Sequence, residues 1–175
     1  YLYLYNQVKY IASKGGNQLN LKLEGKNVII TGGSDGIGKE TARIMAEEGA
    51  NVIIFARNIE NLNKTRDEIK IKTGTAVEVH SVDVKDEKNV KETVDKVVEK
   101  NGNIDILVNN AGTSSAHPIM NITDQIMNDD LGTKLFGAIY MIQAVVPSMK
   151  KNGNGSIVNI TCLLYTSDAA DESTC

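Results

Sequence analysis

Asn27-Val-Ile-Ile-Thr-Gly-Gly-Ser-Asp-Gly-Ile-Gly-Lys39 decides the reading of the whole chain. Its β-branched run, Val28-Ile29-Ile30, predicts a buried strand. The run breaks into a glycine-rich turn ending at Gly38. An apolar-periodic helix follows, with Ile37, Thr41, Ile44 and Met45 expected on its buried face. Strand, glycine turn and helix is the context that gives a glycine motif its chemistry. Gly32 permits a sharp turn. Gly36 lets backbone approach a pyrophosphate, and Gly38 lets the helix pack close to the strand. The helix N-terminus offers unpaired N–H groups and a positive dipole end to an anion. A plain tight turn before a helix is the competing reading of the same residues.

Outward from this stretch, the pattern repeats. Asn51-Val-Ile-Ile-Phe-Ala56 is a second strand without polar alternation, as suits a parallel sheet covered on both faces. Residues 61–72 form an amphipathic helix stopped by Gly74. Residues 76–82 are a third strand, with His80 a structural residue inside it. Residues 87–100 carry Val90, Val94, Val97 and Val98 at helical spacing, with Glu92 and Lys96 as a surface pair. Residues 104–108 make a fourth strand, and Asn109-Asn-Ala-Gly112 follows it. Asn121 or Thr123 caps a long interrupted helix reaching Lys150. Its segment from Ala138 to Pro147 is apolar almost all round and predicts burial against the sheet and a partner subunit. Residues 156–161 are a fifth strand. Alternating strands and helices predict an α/β fold, a Rossmann-type doubly wound parallel sheet running to the fifth strand. Right-handed crossovers then place the first strand beside the fourth, with a ligand crevice at that switch point.

Composition narrows the functional classes. At 175 residues, the chain has the length of about one domain. A net charge of −3 argues against electrostatic nucleic-acid binding. No run approaches the roughly 20 apolar residues of a membrane span. The two cysteines, Cys162 and Cys175, and the two histidines, His80 and His117, have no metal-site spacing.

The end of the second strand bears on cofactor choice. In dinucleotide folds, an acid about 20 residues past the glycines binds the ribose 2′-hydroxyl, whereas an Arg accommodates a 2′-phosphate. Ala56-Arg57-Asn58 lacks the acid and offers Arg57, which reads as a preference for NADP(H); a solvated loop arginine is the alternative.

The spacing Thr-Gly-x-x-x-Gly-x-Gly at residues 31–38, together with Asn109-Asn-Ala-Gly112, resembles the short-chain dehydrogenase/reductase family over roughly residues 23–161. The resemblance implies hydride transfer between a nicotinamide and a small-molecule or lipid carbonyl. It implies a cofactor site of Gly32, Ser34, Asp35, Gly36, Ile37 and Gly38 in the glycine loop, and of Arg57 after the second strand. Asp83 and Val84 would border the adenine, while Asn109, Ala111 and Gly112 would border the cofactor from the fourth strand, Asn109 as the structural residue. The blocks Ile30-Thr-Gly-Gly-Ser, Ala56-Arg-Asn, Ser81-Val-Asp-Val and Leu107-Val-Asn-Asn-Ala-Gly-Thr resemble the 3-ketodihydrosphingosine reductases. That narrower resemblance implies sphingolipid metabolism at the cytosolic face of the endoplasmic reticulum; a cytoplasmic enzyme is the broader expectation.

The family's catalytic groups are not matched. The position of its helix Asn falls on Lys134, and residues 128–132 read as a small insertion that displaces or disorders the helix. The Ser position falls on Cys162. Tyr165 stands too early for the catalytic Tyr, with Ala169 rather than Lys four residues later. Residues 162–175 read either as adapter-derived sequence appended to a truncated reading frame or as a short natural tail. Residues 1–22 form an N-terminal extension, either an edge segment or the interfacial remnant of a membrane anchor. The expected full-length protein is a homo-oligomeric NADP(H)-dependent oxidoreductase. The 175-residue chain alone is expected to be inactive and poorly soluble. The alternative function is a non-catalytic dinucleotide-binding module.

Overall fold

The computed structural model describes residues 21–112 and 119–160. The extension at residues 1–20 and the tail with Cys162 and Tyr165 lie outside the described residues. Five parallel strands form one sheet in the order β3-β2-β1-β4-β5. They are β1 (Asn27–Thr31), β2 (Asn51–Ala56), β3 (Glu78–Ser81), β4 (Ile106–Asn109) and β5 (Ser156–Asn159). The first strand pairs with the second on one side and the fourth on the other. The switch point therefore lies between β1 and β4, as the right-handed crossover rule requires.

The central strands bury both faces. Ile29, Phe55 and Leu107 pack with Val90, Val94, Met141 and Val145 on one side of the sheet. Val28, Ile30, Ile54 and Val108 pack with Ala42, Ala46 and Leu62 on the other. Successive strand residues point to opposite faces, so an unbroken apolar run is what a two-sided core demands. Helices α1 (Gly36–Glu47) and α2 (Ile59–Thr73) cover one face. Helices α3 (Glu87–Asn101) and α5 (Gly137–Asn152) cover the other. Between them, α4 (Asp124–Leu131) runs through a π turn (Gly132–Phe136) into α5.

Several expectations need correction. Helix α1 faces the sheet with Gly38, Ala42 and Ala46, while Ile37 is 48% exposed. Small residues face inward because this helix lies too close to the sheet for larger ones. Residues 128–132 are not disordered: they continue from α4 into the π turn, whose wider turn absorbs the interruption. Thr123, not Asn121, caps α4, its hydroxyl accepting from the Ile126 amide at 3.3 Å. Helix α5 meets the sheet as expected through Met141, Val145 and Met149, and Ile139 is exposed on the side where a partner subunit was expected. Glu92 pairs with Lys88 at 3.8 Å rather than with Lys96. All four residues of β5 are exposed, leaving Ile157 and Val158 uncovered by the described residues.

The strand ends at the switch point are tied by one side chain. The Asn110 amide nitrogen donates to the carbonyl oxygens of Thr31 at 3.1 Å and Gly32 at 3.2 Å. The Thr31 hydroxyl accepts from the backbone amides of Asn110 and Ala111, both at 3.0 Å. Removing the Asn110 amide strands two partly buried acceptors. N110A is expected to lower stability by about 1–3 kcal/mol in urea denaturation. A loss below about 0.5 kcal/mol, the range of ordinary surface changes, would contradict this.

His80 lies within β3 and edges onto the Phe55 ring, with centroids 5.6 Å apart. Glu78 binds His80 at 2.6 Å, Lys100 at 2.9 Å and Asn101 at 3.0 Å. Burial pushes the Glu78 carboxyl up, but these three partners outweigh it and hold the pKa below the ordinary 4.5. A folded-state pKa below the unfolded one adds stability above the unfolded value, lost as pH falls through the folded value. Wild-type protein should therefore lose urea resistance as pH drops below 4.5, and E78Q should lose less over the same interval. Parallel acid limbs for the two proteins would refute this role of Glu78.

Candidate cofactor cleft

Three hydrogen bonds shape the glycine loop after β1. The Gly32 and Gly33 amides donate to the Phe55 carbonyl at 2.8 and 3.3 Å, turning the chain back over β2. The Thr65 hydroxyl of α2 donates to the Ser34 carbonyl at 2.8 Å and pins the middle of the loop. Gly32 adopts φ +66°, a conformation that glycine takes without steric cost. A methyl group on Gly38 would run into the Gly32 carbonyl and the Asn110 amide. Glycine at position 38 is therefore what allows α1 to start directly beneath the turn.

The loop opens onto a cleft of about 610 Å³ at the C-terminal ends of β1–β4. Of the residues expected in the site, Gly32, Ser34, Asp35, Gly36 and Ile37 line it from the loop. Arg57 lines it from the end of β2, and Asp83 and Val84 from the end of β3. Ala111 and Gly112 line it from the end of β4. Gly38 and Asn109 do not line it. Gly38 sits below the loop, while Asn109 is buried and donates to the Asn159 side chain at 2.9 Å. The tie to β1 is made by Asn110, one residue on. Strand alternation explains the difference: Asn109 belongs to β4 and meets β5, and Asn110 leaves the sheet toward the loop.

The cleft matches an elongated anion. A methyl group placed on Gly36 would meet no atom within 4 Å, so the approach to the α1 N-terminus is open. Asp35 occupies the N-cap position in extended geometry, and its side chain makes no capping bond. The first-turn amides of α1 thus keep their donors for a ligand. Arg57 has no ion-pair partner among the described residues, whereas nearby Lys39 is held by Glu68 at 2.6 Å. Asn58 and Asn61 line the cleft beside Arg57, and the Asn58 side chain caps α2 through the Asn61 amide at 3.0 Å. Asp83 turns one carboxylate oxygen inward on the Lys85 amide at 3.0 Å. These features fit a dinucleotide.

Sequence reasoning missed Asn58, Asn61 and Thr133 as lining residues. The capping signal Asn-x-x at the start of α2 was the available clue for the first two. Thr133 had none, since the π turn aims it. Lys134, the position expected for the family's Asn, follows it; its stem comes within 3.8 Å of a methyl placed on Gly112. Its ammonium pairs with Asp130 at 2.9 Å. Among the described residues, no group of His, Cys, Asp or Glu side chains is arranged to hold a metal ion.

Comparison with known proteins agrees with this geometry. The short chain dehydrogenase family model matches residues 26–169. A 3-oxoacyl-[acyl-carrier-protein] reductase from Thermotoga maritima is 39% identical over 144 residues, covering 82% of this chain and 58% of the relative. The structure of L-sorbose reductase from Gluconobacter frateurii, complexed with NADPH and L-sorbose, superposes with a TM-score of 0.72 at 36% identity, covering 77% of this chain and 51% of that one. An NAD+-bound xylitol dehydrogenase superposes with a TM-score of 0.73 at 33% identity, covering 78% and 52% respectively. The chain thus spans a little over half the length of these proteins. A glycine loop tied to the fourth strand, an open helix N-terminus and a family match across most of its length place this chain in the short chain dehydrogenase family.

Proposed function

We propose that this chain supplies the NADP(H) site of an oxidoreductase that interconverts a carbonyl and an alcohol. Arg57 carries the proposal. It stands at the end of β2, lines the cleft and has no ion-pair partner among the described residues. The structural relatives include one bound to NADPH and one bound to NAD+, so the family alone does not choose between them. Charge chooses. A guanidinium complements a 2′-phosphate through paired, charge-assisted hydrogen bonds, and no acid at this strand end competes for the bare ribose diol.

The division of labour follows from the fold. Gly32 and Gly36 keep side chains off the diphosphate path, and the α1 N-terminus opposes its charge. Val82, Asp83 and Val84 wall the adenine end. Ala111 and Gly112 hold the nicotinamide end against β4. A nicotinamide held there by Ala111 and Gly112 would supply or accept the hydride at the substrate carbon. The substrate is proposed to be a small-molecule or lipid carbonyl compound. The sphingoid-base reading rests on the four sequence blocks alone. Association through the α4–α5 segment belongs to the same proposal, since Leu135 and Phe136 of the π turn and Ile139 of α5 are exposed. No helix among the described residues is long and apolar enough to cross a membrane. A second reading, a dinucleotide-binding module without catalysis, draws support from Lys134 at the position expected for a catalytic Asn.

Fluorescence titration of wild-type protein and R57A with NADPH and NADH tests the cofactor reading. A charge-assisted contact of about 1.5–3 kcal/mol predicts a loss of roughly tenfold or more in NADPH affinity. NADH affinity should stay within about twofold. Equal binding of both cofactors by the wild type, or an R57A protein that still prefers NADPH, would refute it.

A further inference from the structure

The end of the cleft opposite Arg57 carries a feature that cofactor binding does not use. Gly112 and Thr133 line that end. Thr133 and Lys134 belong to the π turn at Gly132–Phe136. Such turns are rare and concentrate at functional sites, because the extra residue redirects side chains. Here the turn sends Thr133 into the cleft and lays the Lys134 stem along Gly112, with Cε 3.7 Å and Cγ 3.8 Å from a methyl placed there. Gly112 is exposed, so the ammonium sits at the rim where a substrate would enter beside β4.

Two acidic neighbours organise the cations near this rim. Lys85 approaches from the loop after β3 and pairs with Asp129 at 3.1 Å. Lys134 pairs with Asp130 at 2.9 Å, its side chain 44% exposed. An exposed pair of this kind contributes only about 0–1 kcal/mol and exchanges partners readily. The ammonium can therefore leave Asp130 for an anion arriving in the cleft, while its packed stem keeps it at the rim. Lys85 pairs with Asp129, which lies one residue before Asp130 on α4, and its stem packs on Gly132 of the π turn. A neutral amide at position 134 would hold water or a carbonyl equally well. A lysine there adds a positive charge beside Gly112, at the end of the cleft that the proposed function gives to the nicotinamide.

We infer that Lys134 is a specificity-determining residue that favours carbonyl substrates bearing a carboxylate near the reacting carbonyl. The inference rests on the proposed cofactor site, because that site defines which end of the cleft faces the substrate.

The test uses full-length protein saturated with NADP+, which binds a ketone without reducing it. Acetoacetate and its ethyl ester serve as matched probes, with and without the carboxylate, in isothermal titration of wild type, K134M and K134R. Acetoacetate should bind the wild type at least tenfold more tightly than the ester. K134M, which keeps the stem against Gly112, should bind the two equally, and K134R should retain the preference. All three should bind NADP+ alike. Equal binding of both probes by the wild type, no binding of either, or a preference that survives in K134M would overturn the inference while leaving the cofactor site intact. Failure of the wild type to bind NADP+ would overturn both.

Discussion

The architecture depends on the side-chain amide of Asn110 lying across the gap between β1 and β4. In a doubly wound sheet these two strands diverge in their onward connections, so their C-terminal ends have no helix of their own to join them. Asn110 bridges them by donating to Thr31 and Gly32, and Thr31 answers through its hydroxyl. The bridge fixes where the glycine loop leaves the sheet. Gly38 then brings α1 up beneath the same amide, in a space with no room for a side chain. Cofactor cleft and strand junction are therefore one construction. The residues that hold the sheet together at this end also leave the helix N-terminus open.

The two faces of the sheet support that construction differently. The α1/α2 face is built close, with Ala42 and Ala46 against Val28 and Ile30, and holds the glycine loop within hydrogen-bonding distance of α2. The α3/α5 face is built with larger side chains, including Met141 and Met149. It places the π turn over the cleft by seating Gly137 directly on Val84. The loop expected at the adenine and the turn beside Gly112 thus share a packing contact. Charge follows the same division. Arg57 lines the cleft from the end of β2 and Lys134 stands beside Gly112 at the end of β4, while Asp35 and Asp83 add negative charge to the cleft wall.

Much of this was legible in the sequence, for stated physical reasons. Val28-Ile29-Ile30 and Val52-Ile53-Ile54 are unbroken because both faces are buried, and that requirement gives the parallel sheet. The valines at 90, 94 and 97 repeat at helical spacing because one stripe of α3 meets the core. The missing acid and the arginine at position 57 are readable because a single side chain sits at that strand end. Other features were hidden. Hydrophobicity pointed to Ile37, Thr41, Ile44 and Met45 as one face of α1; Met45 does pack against the core, but the distance from the sheet puts Gly38, Ala42 and Ala46 innermost and leaves Ile37 exposed. A π turn has no composition of its own, so Thr133 carried no signal. Choosing between Asn109 and Asn110 needed the exact end of β4, which a pattern locates only to within a residue or two. The ion pairs of α3 depend on rotamers that spacing does not determine: Lys88, not Lys96, takes Glu92.

A crystal structure of the protein with NADP+ tests the central claim most directly. The account predicts the diphosphate over Gly36 and Ile37 at the α1 N-terminus, the 2′-phosphate on Arg57 and the nicotinamide beside Gly112. A dinucleotide bound elsewhere, or one whose 2′-phosphate turns away from Arg57 into solvent, would contradict it.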